Sequence, residues 1–166
     1  MKKILLISTG GTFNKIYNPL NGNLEIDSEL KALDEISTKW QIDFEAISLI
    51  DKDSLEVTNS DRLLLLATIN LSTHNDIIVI HGTDTMDLSA EYMAEAELEK
   101  RIIFTGSMVP YSIDPIEATA NLSAALGYLQ ALEKEGVYIS MNGIVAPYDT
   151  LIKDRVSGKF VLRESK

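Results

Sequence analysis

The chain has 166 residues, 45% of them hydrophobic and 24% charged, with a formal net charge of −10 and no cysteine. That length fits one domain, expected to span residues 1–166 and to bury roughly 70% of its unfolded surface. The acidic balance argues against a general binder of nucleic acid or of an anionic membrane, and the missing cysteines exclude disulfides and thiolate metal sites.

Lys2 and Lys3 before the apolar run Ile4 to Ile7 imitate the start of a signal peptide, but the run is too short and ends in glycines. The longest apolar burst, Leu63 to Ala67, falls well short of a membrane span. A cytoplasmic protein without a membrane partner is expected.

The first predicted strand, Lys3 to Ser8, runs into Thr9-Gly10-Gly11-Thr12. Adjacent glycines let the chain bend with no Cβ in the way, so a substrate can approach the backbone beside Thr12 closely. Residues Asn14 to Asn23, with four asparagines, one proline and one glycine around Tyr17, read as a loop placed to act as a lid. Asp27 or Ser28 is expected to cap a helix reaching toward Trp40, before a second strand from Phe44 to Leu49.

Asp53-Ser54 follows that strand, and Thr58-Asn59-Ser60-Asp61 offers caps for the next helix. Ser54 therefore falls at a strand-to-helix handover, a natural place to bind a carboxylate. Leu63, Leu64, Ala67 and Leu71 lie within about 100° of one another on that helix and predict the face turned to a sheet. A third strand, Asp76 to His81, ends in Gly82-Thr83-Asp84-Thr85. A fourth, Arg101 to Thr105, ends in Gly106-Ser107.

Asp114-Pro115 has the form of a helix start, and that helix is expected to reach about Glu133. It carries Ile116, Ala120, Ala124, Gly127 and Ala131 on one side and Leu122, Leu126 and Leu129 on another, which predicts burial against its own sheet and against a partner subunit. The last strand is expected over Val137 to Ser140. Strands alternating with helices imply βαβ units and a mostly parallel sheet with helices on both faces. Ligands in such sheets bind beyond the carboxyl ends of the strands.

Two parallel strands ending in Gly-Thr would bring Thr12 and Thr83 to one edge of the sheet. A hydroxyl needs a base before it becomes a useful nucleophile. Asp84 would bind a cationic group or orient that base, and Lys153 is the candidate base. Other chemistries fit less well. The glycine spacing is not that of a dinucleotide fingerprint, no phosphate-binding Gly-Lys-Ser/Thr ending is present, and no Gly-x-Ser-x-Gly elbow occurs. With only His74 and His81 present, a metal site is not expected, and His81 reads as a structural histidine at a strand end.

With these motifs together, the chain resembles the bacterial-type L-asparaginases, amidohydrolases with threonine nucleophiles. The resemblance rests on Thr9-Gly10-Gly11-Thr12, His81-Gly82-Thr83-Asp84-Thr85-Met86, Asp53-Ser54 before Val57-Thr58, Thr105-Gly106-Ser107-Met108-x-Pro110, and Asn121-Leu122. It covers essentially the whole chain but only the amino-terminal half of the usual two-domain enzyme. Lys153-Asp154-Arg155 through Gly158-Lys159-Phe160 matches the ending of short single-domain members.

The resemblance implies an α/β three-layer sandwich with a mostly parallel, flavodoxin- or Rossmann-like sheet, assembled as a homodimer or homotetramer. It implies hydrolysis of L-asparagine to L-aspartate and ammonia through an acyl-enzyme, with no cofactor, metal or nucleic acid. Thr12 would be the nucleophile and Tyr17 would help manage its proton, with Thr83, Asp84 and Lys153 as the second catalytic group. Gly11, Asp53, Ser54, Thr83 and Asp84 would bind the substrate, Ser54 taking the α-carboxylate and Asp84 the α-amino group. The usual Met-Arg-Pro is Met108-Val109-Pro110 here, and Leu55 stands where many members are polar. The alternatives are a glutaminase or other small-amide hydrolase, and a non-catalytic amino-acid-binding module.

Overall fold

A computed structural model describes residues 2–163. Its centre is a six-stranded sheet made of β1 (Ile4–Gly10), β4 (Glu45–Lys52), β5 (Asp76–Ile80), β6 (Arg101–Thr105), β7 (Gly136–Met141) and β8 (Ile144–Pro147), in the order β4-β1-β5-β6-β7-β8. The first five strands run parallel and β8 returns antiparallel on the edge. Two short antiparallel hairpins complete the strands: β2 (Lys15–Asn18) with β3 (Asn23–Ile26), and β9 (Leu151–Asp154) with β10 (Lys159–Leu162).

Both faces of the sheet are apolar because both are covered. Along β1, Leu5 and Ile7 point into one core while Ile4 and Leu6 point into the other. β5 repeats the division with Ile77 and Val79 against Ile78 and Ile80. The first core is closed by Leu65 and Ile69 of α2 (Asn59–Leu71), by Met86, Ala90 and Met93 of α3 (Met86–Glu95), and by Phe160. The second is closed by Leu33 and Ile36 of α1 (Lys31–Trp40) and by Leu122, Ala125 and Leu129 of α4 (Pro115–Ala131). Three layers result, as the alternation of strands and helices predicts.

The starts of α2 and α4 follow the capping chemistry, whereas α1 is entered through Leu30 rather than Asp27 or Ser28, with no side-chain cap at that residue. Asp27 accepts the Lys31 N–H at 3.0 Å although the chain enters α1 only at Lys31. Thr58 and Asp61 form a reciprocal capping box on α2, through Asp61 N–H to Thr58 Oγ1 at 3.2 Å and Thr58 N–H to Asp61 Oδ2 at 2.7 Å. Asp114 caps α4, accepting the Ile116 N–H at 3.0 Å, with Pro115 at the first helical position.

Two expectations are corrected. The stretch after Thr12, expected as a loop, forms a β-hairpin, tied across its turn by Asn18 and Asn21 side chains donating to the Glu25 carboxylate at 2.9 and 2.6 Å. Those amides hold the Glu25 carboxyl below its ordinary pKa. The face of α2 is also inverted. Arg62, Leu65 and Ile69 are buried against the sheet, while Leu63, Leu64, Ala67 and Leu71 are exposed. α4 buries Leu122, Leu126 and Leu129 as expected, and its opposite side, with Ile116, Ala120, Gly127 and Ala131, faces outward.

Candidate active site

β1 and β5 are neighbours, paired in parallel from Ile4–Asp76 to Ser8–Ile80, and the strand order reverses between them. A reversal of this kind opens a crevice beyond the carboxyl ends of the two strands. Thr12 follows β1 and Thr83 follows β5, so both threonines arrive at that crevice. A cleft of about 290 Å³ there is lined by Thr12, Asp53, Ser54, Leu55, Glu56, Gly82, Thr83 and Asp84.

Local sequence explains how the turns nest. Gly10 and Gly11 take φ values of +94° and +77°, which a residue with a Cβ rarely adopts. Gly82 is packed so closely on the 53–55 turn that a Cβ there would lie 2.7 Å from the Ser54 Cβ. Ser54 is held against the same segment, its Oγ accepting the Asp84 N–H at 3.2 Å and its carbonyl accepting the Thr85 hydroxyl at 2.6 Å. Asp53 is paired with Lys15 of β2 at 2.7 Å, which ties the hairpin to the cleft wall.

Behind the cleft lies a charged cluster that the chain assembles from distant segments. Lys153 on β9 donates to Thr83 Oγ1 at 2.9 Å and to Asp84 Oδ1 at 2.8 Å. Arg155 adds a second cation, donating to the Asp84 carbonyl at 2.9 Å with its guanidinium 3.5 Å from the carboxylate. The Thr83 hydroxyl accepts from Lys153 and passes its own proton toward Met108 Sδ at 3.1 Å. Met108 is fixed in turn by Glu117 of α4, whose carboxylate accepts the Met108 and Val109 N–H groups at 2.9 and 3.1 Å.

A buried polar chain supports the β5 turn from below. His81 is fully buried, and Nδ1 lies 2.8 Å from the Gly82 carbonyl. A carbonyl only accepts, so Nδ1 carries the proton and Nε2 accepts from the Ser89 hydroxyl at 2.8 Å. Ser89 then accepts from Arg62 Nε at 3.0 Å. Burial is the main cause that pushes the His81 pKa down to about 4. Both ring nitrogens are satisfied, which agrees with a structural histidine.

The structure therefore brings Gly11, Thr12, Asp53, Ser54, Thr83, Asp84 and Lys153 to one place. Tyr17 is the exception. It stands on β2, 60% exposed, and is not part of the cleft lining. Met108, Glu117, Arg155, Lys15 and Leu55 join the neighbourhood without having been predicted as site residues. An acidic residue at the start of α4 reads in sequence as a complement to the helix dipole, which conceals the role Glu117 takes with the 108–109 backbone. Among the described residues, no group of three or more His, Cys, Asp or Glu side chains is placed to hold a metal ion, and no helix is long and apolar enough to cross a membrane.

Fold and crevice together define a doubly wound α/β protein with paired threonines at its switch point. Residues 3–153 match the family model described as Asparaginase, N-terminal, and the chain belongs to that family. It is 24% identical to a glutaminase-asparaginase of Acinetobacter glutaminasificans, over 84% of this chain and 46% of that protein. A second glutaminase-asparaginase, from Pseudomonas aeruginosa, is also 24% identical, over 97% of this chain and 46% of its own. The chain thus spans about half the length of the curated relatives it matches.

Solved structures give the same picture of the fold. The thermostable L-asparaginase of Thermococcus kodakarensis superposes with a TM-score of 0.80 at 20% identity, covering 99% of this chain and 52% of that one. L-asparaginase I of Vibrio cholerae gives 0.81 at 21% identity, over 98% and 51%. A probable cytoplasmic L-asparaginase of Campylobacter jejuni gives 0.77 at 19%, over 99% and 59%.

Proposed function

We propose that the chain hydrolyses the side-chain amide of a small amino acid, L-asparagine first, using Thr12 as nucleophile. The observation that carries this reading is the Lys153–Thr83–Asp84 cluster, with contacts of 2.9 and 2.8 Å, set behind a cleft that Thr12 also lines. Simple binding of an amino acid needs a carboxylate and a donor. It does not need a lysine directed at a threonine hydroxyl beside a second threonine.

In this reaction Lys153, an ammonium in the resting site, first gives a proton to solvent; the resulting amine draws the Thr83 proton, and Thr83 takes the Thr12 proton as the Thr12 oxygen adds to the amide carbon. The C–N bond then breaks, and ammonia departs with the proton returned to it. Water adds to the acyl-threonine, the C–O bond to Thr12 breaks, and aspartate leaves. Ser54 and Asp84 lie where the substrate's α-carboxylate and α-amino group are to be held, and Tyr17 takes part only when the β2–β3 hairpin closes over the cleft. The name glutaminase-asparaginase carried by both curated relatives supports glutamine as a second substrate. The extra methylene is worth only about 1–3 kcal/mol of discrimination in a pocket.

The outward side of α4, with Ile116, Ala120, Gly127 and Ala131, supports a homo-oligomer. A monomeric mass in light scattering at micromolar concentration would remove that part of the proposal. The activity itself is tested by ammonia release from asparagine and from glutamine by the wild type, Thr12→Ala and Thr83→Val. Release by the wild type with near-complete loss in both variants supports the reading. Equal and negligible release by all three leaves a binding module in its place.

A further inference from the structure

Met108 occupies an unusual position in the hydrogen-bond order of the site. The Lys153 ammonium donates to Thr83 Oγ1, so the Thr83 proton must go elsewhere, and it goes to the Met108 sulfur at 3.1 Å. A thioether accepts weakly, and this contact leaves the Thr83 proton oriented yet cheap to release. The sulfur is held in position from its own backbone. Glu117 takes the N–H groups of Met108 and Val109, and Ser107 Oγ donates to the Val109 carbonyl at 2.6 Å.

The same methionine is open to solvent. It is 42% exposed, whereas Met86, Met93 and Met141 are fully buried. The chain holds no cysteine to intercept an oxidant first. Susceptibility of methionine follows access to the sulfur, and oxidation turns a flexible apolar side chain into a polar, chiral one. Among the described methionines, the one that a two-electron oxidant reaches most easily is therefore the one that touches Thr83.

We propose that Met108 is an oxidation site and a positioning residue: its thioether orients the Thr83 hydroxyl, and its conversion to the sulfoxide by a peroxide switches that orientation. A sulfur lone pair attacks one peroxide oxygen, the O–O bond breaks, an S–O bond forms and water leaves, so the thioether gives up two electrons to the peroxide. A sulfoxide oxygen is a far stronger acceptor than the thioether sulfur. Where it faces Thr83 it holds the hydroxyl proton that catalysis must move, and where it faces away the hydroxyl loses its partner. Either outcome lowers turnover, and a methionine sulfoxide reductase restores it.

This inference rests on the reading that Thr83 takes part in amide hydrolysis, so its test has a readout apart from turnover. The full chain is treated with hydrogen peroxide, oxygen uptake is mapped by peptide mass spectrometry, and the Thr83 methyl resonance is followed by NMR. The expected result is one added oxygen on the Met108 peptide before the Met86, Met93 and Met141 peptides, with a shift of the Thr83 methyl signal. Ammonia release falls about tenfold in parallel, and reductase treatment reverses both.

Met108→Leu keeps the volume and removes the acceptor. It is expected to lower kcat by about threefold to tenfold at unchanged KM and unchanged Tm, and peroxide lowers it no further. Met108→Gln, whose amide oxygen is a strong acceptor at similar reach, is expected to mimic the sulfoxide and to lower kcat as peroxide does. A Met108 peptide no more reactive than the buried ones, or an oxidised Met108 with an unmoved Thr83 signal, overturns the proposal. An untreated wild type that releases no ammonia overturns the amidohydrolase reading instead, and the Thr83 signal still decides the fate of Met108.

Discussion

Gly11 and Gly82 belong to different strand ends, yet a Cβ on Gly11 would sit 2.5 Å from the Gly82 nitrogen and 2.6 Å from its Cα. The turns after β1 and β5 are thus in backbone contact, and the separation of Thr12 from Thr83 is set by that contact. Gly11→Ala meets both a φ of +77° and main-chain atoms that cannot move aside. It is expected to cost at least about 2 kcal/mol in stability and to abolish ammonia release. Urea denaturation and a single-substrate assay check the two effects.

Gly127 is the contrasting case. It lies within α4, and a Cβ there meets nothing within 4 Å. Gly127→Ala is expected to raise stability by about 1 kcal/mol through helix propensity, read as a higher urea midpoint at unchanged slope. A loss of stability would show that some contact across that face requires the glycine.

Lys153 is the group on which the proposed chemistry depends most. Lys153→Met removes both the 2.9 Å contact to Thr83 and the 2.8 Å pair with Asp84. The expected loss in kcat is about 10²–10⁴-fold, the usual worth of general acid–base catalysis. Lys153→Arg keeps the charge but not a group able to give up its proton, so it should restore stability without restoring turnover. Recovery of wild-type kcat by the arginine variant would limit Lys153 to an electrostatic role.

His81 makes stability depend on pH in a defined direction. Its pKa is depressed by burial from 6.5 to about 4, so the unfolded chain binds its proton first as pH falls. Stability is complete above pH 6.5, declines between 6.5 and 4, and has lost this contribution below 4. The size is about 3 kcal/mol at 1.36 kcal/mol per pKa unit. The difference between wild type and His81→Gln in urea midpoint, followed from pH 7 to 4, is expected to narrow over that window. A difference that does not change with pH would contradict the assignment.

The parallel sheet was legible because each of its inner strands is a short β-branched run stopped by glycine or a hydroxyl residue. The site was legible where chemistry sits at those stops, at Thr12, Ser54, Thr83 and Asp84. Nothing local in its sequence marks Lys153, which entered as a candidate base on the chemistry of its side chain and was grouped with Thr83 and Asp84 by the family resemblance. The β2–β3 hairpin was missed because its strands are only four residues each and bury no side chain fully, so the alternation Asn23-Leu24-Glu25-Ile26 is too short to stand out. The Asn21-Gly22 dipeptide was the available signal.

The inverted face of α2 has a different cause. Leu63 to Leu66 place apolar side chains all around one turn, so periodicity alone cannot select the inner face. The side that is buried carries Leu65 and Ile69 together with Arg62, which donates to Ser89 at 3.0 Å. Tertiary polar contacts of this kind have no sequence period. Glu117 escaped notice for the same reason, and Met108 was noticed as part of a motif but not as a partner of Thr83.

The position of Lys153 on β9 also has a consequence for how the molecule is made. The strands that carry Thr12 and Thr83 leave the ribosome well before residue 153 does, and folding during synthesis proceeds from the amino terminus. A nascent chain can therefore form the two-threonine cleft while the ammonium group that completes it is still to be translated. Closure of the β9–β10 hairpin, with Phe160 seated in the core formed by α2 and α3, delivers that group last. On the proposed mechanism, a nascent chain that has not yet reached Lys153 holds both threonines without the base between them.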